Sequence, residues 1–295
     1  ATGISLRNYE REVKFYNEIA NTLDVRKPHC YFADWHEEAG DIAIVLEDMT
    51  PCEQGDQIRG CGIDEARISV TELSKLHGPR WGDASLSKID WLQRRDADDA
   101  ARLEGLYAMV KPGFLAVHGE AIRRECGEEG IAFIETLGTM MTRYVNAKDE
   151  PFTVTHGDYR LDNCMVDAQG NVIAVLDWEI CTLGDPMADL GLLMVYWTGP
   201  NDDASAWSNS VCTAKGFLDR ADLARRYADT SGRDISQLDY YVAFAYWKLA
   251  CIIEGVYARY LGGALGDRDP AELEPFKLQV DGAAQKAASM LEKLR

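Results

Sequence analysis

Three oxygen-bearing side chains are spaced in the sequence as a combined metal and proton site would require. Asp158 and Asn163 lie in the segment HGDYRLDN, and Asp177 follows fourteen residues after the asparagine, in VLDWE. Phosphoryl transfer from a nucleotide needs one carboxylate to orient and deprotonate a hydroxyl group. It also needs oxygen ligands, such as an amide and a second carboxylate, to hold Mg²⁺. The set therefore indicates phosphotransfer chemistry.

The surrounding residues predict a β-hairpin that would bring this set together. Runs of β-forming residues alternate with a turn-forming pentapeptide, which predicts strands at 153–155, 163–166 and 172–176 and a turn at 167–171. Such a hairpin places Asn163, at the start of one arm, beside Asp177, at the end of the other, with Asp158 in the preceding loop. A turn or cap role is the simpler interpretation of any one of these residues, but their joint spacing favours a site.

The pattern of His-x-Asp, a later Asn and an Asp on the next strand resembles that of the protein-kinase-like superfamily. The form HGD is similar to its small-molecule branch, the aminoglycoside phosphotransferases and choline kinases. The longer stretch 156–197 is similar to kinase-like domains found alone in bacteria or fused ahead of acyl-CoA dehydrogenases in animals. Further matching segments are REVKFYNEIA (11–20), IVLEDM (44–49), GDQIRGC (55–61), LSKLHGPRW (73–81) and FAYWKLACIIEGVYARY (244–260).

The resemblance implies an α+β fold with the two lobes of a protein kinase. We expect residues 1–50 to be the remainder of a small, partly missing β-rich N-lobe, with a helix, two strands and a hinge. Residues 51–295 would form a large, mainly helical C-lobe with the catalytic loop, the metal site and a helical substrate-binding region.

The resemblance also assigns roles at the site. Asp158 would be the catalytic base, and Asn163 and Asp177 would be the Mg²⁺ ligands. Arg160 would stabilise charge on the transferring oxygens, with a surface arginine as the alternative. His156 belongs to the same catalytic motif, although bracing of the loop is a simpler role for it than proton transfer.

Three further residues follow from the same resemblance. Asp189 would pin the backbone of the catalytic loop. Trp178 and Glu179 replace the Phe and Gly of the protein-kinase DFG triplet, so the activation-loop switching of protein kinases is not expected here.

The N-terminal segment carries a second informative carboxylate. Apolar residues recur at helical spacing between residues 8 and 23, and Glu12 falls within that stripe, where a carboxylate needs a partner. The resemblance pairs Glu12 with a strand lysine that touches the nucleotide phosphates; an exposed helix-edge glutamate is the alternative. No lysine precedes Lys14 and no G-x-G-x-x-G occurs. We therefore expect the natural chain to be longer; otherwise it lacks half of a nucleotide site.

Two predicted strands, at 30–35 and 42–46, lead into a hinge at Glu47-Asp48-Met49. In kinases such a hinge binds adenine through backbone groups, so Glu47 and Met49 are the expected cofactor-binding residues there. Helices are predicted at 128–147 and 239–260 and along a stripe from Ile63 to His77, whose histidine is expected to be a satisfied core residue. The pattern predicts a charged, irregular segment at 94–119.

Composition limits the partners. The chain has 295 residues, 46% of them hydrophobic, and a net charge of −18, which argues against nucleic acid and anionic membranes. Eight scattered cysteines, without a C-x-x-C pair, favour a reducing cytoplasm over a disulfide framework. The oligomeric state is not indicated.

The sequence thus predicts an ATP- and Mg²⁺-dependent phosphotransferase that acts on a hydroxyl of a small molecule, such as a hydroxyacyl-CoA or a related metabolite. A catalytically silent nucleotide-binding module and an aminoglycoside-type antibiotic kinase are the alternatives. A metal-dependent hydrolase using His156, Asp158 and Asp177 is a weaker one. A CoA ester would need a basic patch, for which the candidates are Arg94, Arg95, Arg123 and Arg124.

Overall fold

The described part of the chain falls into two compact units. The computed structural model describes residues 7–56, 61–92, 96–137, 152–197, 218–263, 266 and 269–290. The first unit contains the described residues up to 92, 152–197 and 218–235, and the second contains 96–137 and the described residues from 236 onward. The division into lobes at residue 50 stays a prediction.

The N-terminal helix and a hairpin follow the predicted pattern. Helix α1, Asn8–Lys14, continues as a π turn, Phe15–Ile19, and a 3-10 turn, Ala20–Thr22. Its apolar stripe is buried, as helical periodicity requires. Strands β1, Cys30–His36, and β2, Asp41–Leu46, then pair antiparallel, so both predicted strands are confirmed.

The hairpin predicted around the site is present. Strands β5, Cys164–Val166, and β6, Val172–Val175, pair antiparallel, with Cys164 opposite Val175. In the connecting turn, the Asp167 carboxylate accepts hydrogen bonds from two backbone N–H groups, those of Gln169 and Asn171.

Short strands flank this hairpin. Strand β3, Glu53–Gln54, pairs with β5, and strands β4, Thr153–Thr155, and β7, Thr182–Gly184, form a separate antiparallel pair. The motif HGDYRLDN (156–163) therefore follows directly after one paired strand, β4, and precedes another, β5.

Three helices complete the first unit: α2, Ile63–His77, α4, Met187–Tyr196, and α5, Arg220–Ser231. Aspartates stabilise the starts of two of them, since Asp185 accepts from the Met187 N–H and Asp219 from the Asp222 N–H. The predicted stripe of α2 is buried, including His77. Large aromatic side chains fill this core, among them Phe15, Tyr159, Trp178, Trp197 and Tyr227.

The second unit is helical. It contains α3, Ala97–Leu137, α6, Leu238–Leu261, and α7, Pro270–Ser289, which pack on one another. The prediction that 94–119 is irregular was wrong for the described residues from 97 onward. Its Gly and Pro residues lower helix propensity, but buried contacts of Tyr107 and His118 with the other helices of the unit outweigh that cost.

Gly127 interrupts α3. Its φ of 65° and ψ of −169° are not helical, and glycine adopts such a conformation without a Cβ clash. The predicted helix at 128–147 therefore begins where expected, while its residues from 138 onward lie outside the described ranges. No helix in the described ranges is long and apolar enough to cross a membrane, and the described cysteines form no disulfide.

Candidate active site

The two arms of the β5–β6 hairpin bring the predicted metal ligands together. The Leu176 N–H donates to the Asn163 carbonyl at 2.8 Å, so Asp177 follows directly after the residue bonded to Asn163. The Asn163 Nδ2 donates to the Asp158 carbonyl at 2.8 Å and lies 3.4 Å from Asp158 Oδ2. Because Nδ2 is engaged in this way, Oδ1 is the atom of Asn163 that a cation could use.

Asp177 lies at a strained point of the chain. Its φ of 65° is in the left-handed region, which costs a non-glycine residue about 1–3 kcal/mol and recurs at functional sites. Strand β6 ends at Val175, and Trp178 is buried with its Nε1–H bonded to the Val175 carbonyl at 3.0 Å. The turn of the backbone between these two points sets the direction of the Asp177 carboxylate.

Asp189, on the first turn of α4, holds the loop that contains Asp158. Its carboxylate accepts from the backbone N–H groups of His156 and Gly157, at 2.7 and 2.8 Å. The ring of His77, buried beside it, lies 3.2 Å from the same carboxylate and 2.6 Å from the Tyr227 hydroxyl. Burial alone would raise the pKa of Asp189, but the hydrogen bond and charge of His77 keep it below its ordinary value. Asp189 thus supports the loop backbone as expected, and His77 is the satisfied core residue that was predicted.

His156 uses both ring nitrogens within the loop. Its Nε2 lies 2.8 Å from the Leu176 carbonyl, and its Nδ1 accepts from the Asp158 N–H at 3.3 Å. Burial lowers the pKa of the ring, which favours the neutral form with the proton on Nε2. This geometry agrees with bracing and leaves neither nitrogen for a metal, so it weighs against the hydrolase interpretation.

An aromatic stack connects the π turn after α1 to Trp178, the residue that follows Asp177. The rings of Phe15 and Trp178 are parallel within 9°, with centroids 4.0 Å apart, and the His156 ring lies 4.7 Å from Trp178. Trp178 is the residue that replaces the Phe of the kinase triplet. Sequence analysis noted the replacement but not the stack, because the stacking partner is far away in the sequence.

Glu12 faces the same end of the hairpin. It accepts a hydrogen bond from the Trp178 backbone and lies within electrostatic range of Asp177. Burial, and then the charge of Asp177, raise the pKa of Glu12 to about 7. Nearby, the Arg11 guanidinium donates to the Glu179 carbonyl at 3.0 Å. The prediction that Glu12 lies on an inward face is consistent with this environment.

Arg160 lies between two carboxylates rather than on open surface. Its Nε is 3.2 Å from Asp158 Oδ2 and 3.0 Å from Asp162 Oδ1, and its guanidinium lies over the Tyr196 ring, 5.4 Å from the centroid. Sequence analysis did not identify Asp162 or Tyr196. Asp162 could have been found from the sequence, because it is an acidic residue two positions after Arg160. Nothing in the sequence connects Tyr196 to the loop.

The predicted hinge, residues 47–49, presents backbone groups. The Glu47 N–H donates to the His29 carbonyl and the Met49 carbonyl accepts from the Cys52 N–H, both at 2.8 Å. Within the described residues, the Glu47 carbonyl and the Met49 N–H form no backbone hydrogen bond. One acceptor and one donor on residues two positions apart are the groups that an adenine edge would need.

The residues at the hairpin end fit a magnesium ion with few protein ligands. Within the described ranges, no cluster of three or more His, Cys, Asp or Glu side chains has the arrangement of a metal site. Mg²⁺ is commonly held by one or two carboxylates, with waters and substrate phosphates as the other ligands. The Asp177 carboxylate and the Asn163 Oδ1 supply hard oxygens of that type.

Comparisons with known proteins agree with this geometry. The model of the phosphotransferase enzyme family (APH) matches residues 62–228, more than half of the chain. Acyl-CoA dehydrogenase family member 11 from Gallus gallus is 32% identical over 170 residues, which cover 56% of this chain and 22% of that protein.

Two solved structures share the fold. A candidate aminoglycoside phosphotransferase from Ralstonia eutropha JMP134 is 21% identical, with a TM-score of 0.66 over 96% of this chain and 83% of its own. A choline/ethanolamine kinase family protein from Mesorhizobium loti is 15% identical, with a TM-score of 0.55 over 97% of this chain and 79% of its own. The α+β kinase-like fold and the recognition of these families from the sequence are confirmed.

Proposed function

Because the chain belongs to the phosphotransferase enzyme family, we propose that it transfers the γ-phosphoryl group of ATP, with Mg²⁺, to a hydroxyl group of a small molecule. The observation that supports the proposal most directly is the arrangement of residues at the end of the β5–β6 hairpin. There Asn163 is bonded to the Asp158 loop and faces the residue that precedes Asp177.

Asp158 acts as the base in this proposal. Its carboxylate orients the acceptor hydroxyl and takes its proton, while the acceptor oxygen forms a bond to the γ-phosphorus. The bond from that phosphorus to the β,γ-bridging oxygen breaks, and ADP leaves. Asn163 Nδ2 and Asp189 support the role, since the former is bonded to the Asp158 carbonyl and the latter holds the backbone just before it.

Asn163 and Asp177 would hold the metal, which neutralises phosphate charge when bound. Arg160 adds a fixed positive charge beside the base. The strained backbone of Asp177 supports a functional role, because strained residues of this kind recur at functional sites.

The nucleotide is proposed to contact the hinge and α1. The Glu47 carbonyl and the Met49 N–H would bond the adenine edge. Glu12 would face the phosphates through a cation. Without a cation, the charge of Asp177 disfavours ionisation of the Glu12 carboxyl. A bound cation would lower the pKa of Glu12 and so favour its ionised form.

For the acceptor we propose a hydroxylated acyl compound, such as a hydroxyacyl-CoA. Its support is the similarity to a protein named as an acyl-CoA dehydrogenase family member. The CoA phosphates would need cations, and Arg123 and Arg124 are exposed on α3, although each is paired with a glutamate, Glu128 and Glu125. Arg94 and Arg95 lie outside the described residues.

A screen for acceptors tests this proposal. ADP release from Mg·ATP would be measured with the full chain against hydroxyacyl-CoA esters, other hydroxylated metabolites and aminoglycosides, with the phosphoester product identified by mass spectrometry. Faster ADP release with a phosphorylated acyl product would support the proposal. Turnover with aminoglycosides alone would instead favour an antibiotic kinase.

A silent nucleotide-binding module is the second candidate, and one observation favours it. The lysine nearest to Glu12 in sequence, Lys14, is paired with Glu10 at 2.8 Å, and no ion pair of Glu12 is recorded in the described part of the chain. Such a module would show a thermal shift with Mg·ATP but no phosphorylated product with any acceptor.

A further inference from the structure

The guanidinium of Arg160 is held by charge and by an aromatic ring rather than by directed hydrogen bonds to the carboxylates. Its Nε lies 3.0 Å from Asp162 Oδ1 and 3.2 Å from Asp158 Oδ2. Neither approach has hydrogen-bond geometry, and the Nε–H is without a hydrogen-bond partner among the described residues. A group held in this way is already in position before an anion arrives.

Tyr196 supplies the remaining restraint. Its ring lies under the guanidinium, with 5.4 Å between Cζ and the centroid, a distance typical of cation–π contacts. Its hydroxyl also accepts a hydrogen bond from the arginine side chain. Burial, and then the charge of Asp158, raise the pKa of the tyrosine, so the hydroxyl stays neutral beside the carboxylates.

Tyr196 and Asp189 are on the same face of one helix. Both belong to α4, Met187–Tyr196, and they are seven residues apart, which is close to two full helical turns. Asp189 holds the backbone of His156 and Gly157, at the start of the catalytic loop. Tyr196 contacts the side chain of Arg160, further along the same loop. One rigid helix face thus fixes the backbone before Asp158 and the cation after it.

We propose that Tyr196 is a positioning residue that holds the Arg160 guanidinium beside Asp158, ready for the phosphoryl group that the acceptor attacks. This inference rests on the proposed function and extends it to a residue outside the catalytic motif. Positioning matters because a charge already in place stabilises the transition state without reorganisation during the reaction. Loss of Tyr196 should therefore lower kcat and leave ATP binding nearly unchanged.

Side-chain NMR tests the contact without any turnover. The Nε–Hε signal of Arg160 is assigned by its loss in Arg160→Lys, and Arg80, whose Nε donates to Asp83 at 2.6 Å in the same unit, serves as the internal reference. We expect Tyr196→Leu to shift the Arg160 signal and speed its exchange with water roughly tenfold or more, with Arg80 unchanged. Tyr196→Phe, which keeps the ring, should give a smaller change.

An Arg160 signal that is the same in the wild type and in Tyr196→Leu would overturn the inference. If the Leu variant also alters the Arg80 signal, its fold has changed, and the Phe variant then decides: a shifted Arg160 signal supports the contact and an unshifted one refutes it.

Kinetics then test the consequence. With an identified acceptor, Tyr196→Leu should lower kcat roughly ten- to a hundredfold, with KM for ATP within about twofold. Tyr31→Phe, on exposed β1, is the matched control with wild-type rates. Equal losses in kcat and ATP affinity would show a general structural effect and overturn the positioning role. A wild type without turnover would count against the proposed function alone, and the NMR result would still decide whether Tyr196 positions Arg160.

Discussion

At the residue scale, Glu12 shows how burial and a neighbouring carboxylate change the pKa of a side chain in the site. Its folded pKa of about 7 lies above its ordinary value of 4.5, because the carboxyl is buried and faces Asp177. The folded chain therefore binds a proton more tightly than the unfolded chain. Stability must then fall as pH rises from about 4.5 to about 7, and the loss is complete above that range.

The matching prediction concerns Glu12→Gln. Glutamine keeps the shape and cannot ionise, so we expect the variant to match the wild type at pH 5 and to be more stable at pH 8 without metal, by on the order of 2–3 kcal/mol. Thermal unfolding at the two pH values measures the difference. Equal stabilisation, or none, at both pH values would show that burial and Asp177 do not raise the pKa of Glu12.

A second residue-scale prediction concerns the metal. Replacing Asn163 by Ala removes the Oδ1 ligand, so Mn²⁺ binding in the presence of ATP, followed by electron paramagnetic resonance, should weaken roughly tenfold or more. Asn21→Ala, at an exposed position after α1, is the control. Unchanged Mn²⁺ affinity in Asn163→Ala would remove that residue from the proposed ligand set.

At the scale of elements, helix α4 fixes the backbone of the loop at His156 and Gly157. The Asp189 carboxylate satisfies two backbone N–H groups and a buried histidine. Asp189→Ala would leave those buried donors without an acceptor, and we expect the free energy of unfolding to fall by about 3–5 kcal/mol.

Chemical denaturation measures this loss. The control is Asp64→Ala, whose carboxylate is 83% exposed on α2 and whose effect should stay within about 0.5 kcal/mol. Similar small losses of unfolding free energy for the two variants would mean that the Asp189 hydrogen bonds do not stabilise the loop.

The elements themselves could be predicted from local pattern. Periodicity identified α1, α2 and α6, and turn residues such as Asp167 and Gly170 identified the β5–β6 hairpin. The pattern failed between residues 97 and 119, where Pro112 and several glycines obscured a helix. Packing against α7 stabilises the helix in that segment. The pattern of a single sequence does not show which elements pack together.

The same limit applies within the site. Asp158, Asn163 and Asp177 are close in sequence and could be identified from spacing. Tyr196 could not be, because its contact with Arg160 depends on where α4 lies relative to the catalytic loop.

At the scale of the whole molecule, the second unit contains a buried ionic cluster that the sequence does not reveal. His118 lies 2.6 Å from Asp281 and 2.9 Å from Glu254, and Lys277 donates to Asp281 at 2.8 Å. The cluster joins α3, α6 and α7. His118 is more than a hundred residues from the other members along the chain, so no spacing rule connects it to them.

This cluster gives a prediction for alkaline pH. Burial alone would lower the pKa of His118, but its hydrogen bonds to Asp281 and Glu254 raise it above 6.5. The charged ring therefore stabilises the fold fully below pH 6.5, and that contribution is lost as pH rises through the higher folded value. We expect His118→Gln to destabilise the protein at pH 6 and to have a smaller effect at pH 9, measured by thermal unfolding.

Exposed His29 provides the control, since His29→Gln removes no buried ion pair. A His118→Gln loss that is the same at pH 6 and pH 9 would mean that the ring contributes through packing rather than charge.

The most direct test of the central claim compares Asp158→Asn with Asp64→Asn in acceptor-dependent phosphorylation from Mg·ATP. Removal of the base should lower kcat by roughly 10²–10⁴-fold, while the exposed control on α2 keeps the wild-type rate. Phosphorylated product formed by Asp158→Asn at the wild-type rate would contradict the assignment of this site as the centre of phosphoryl transfer.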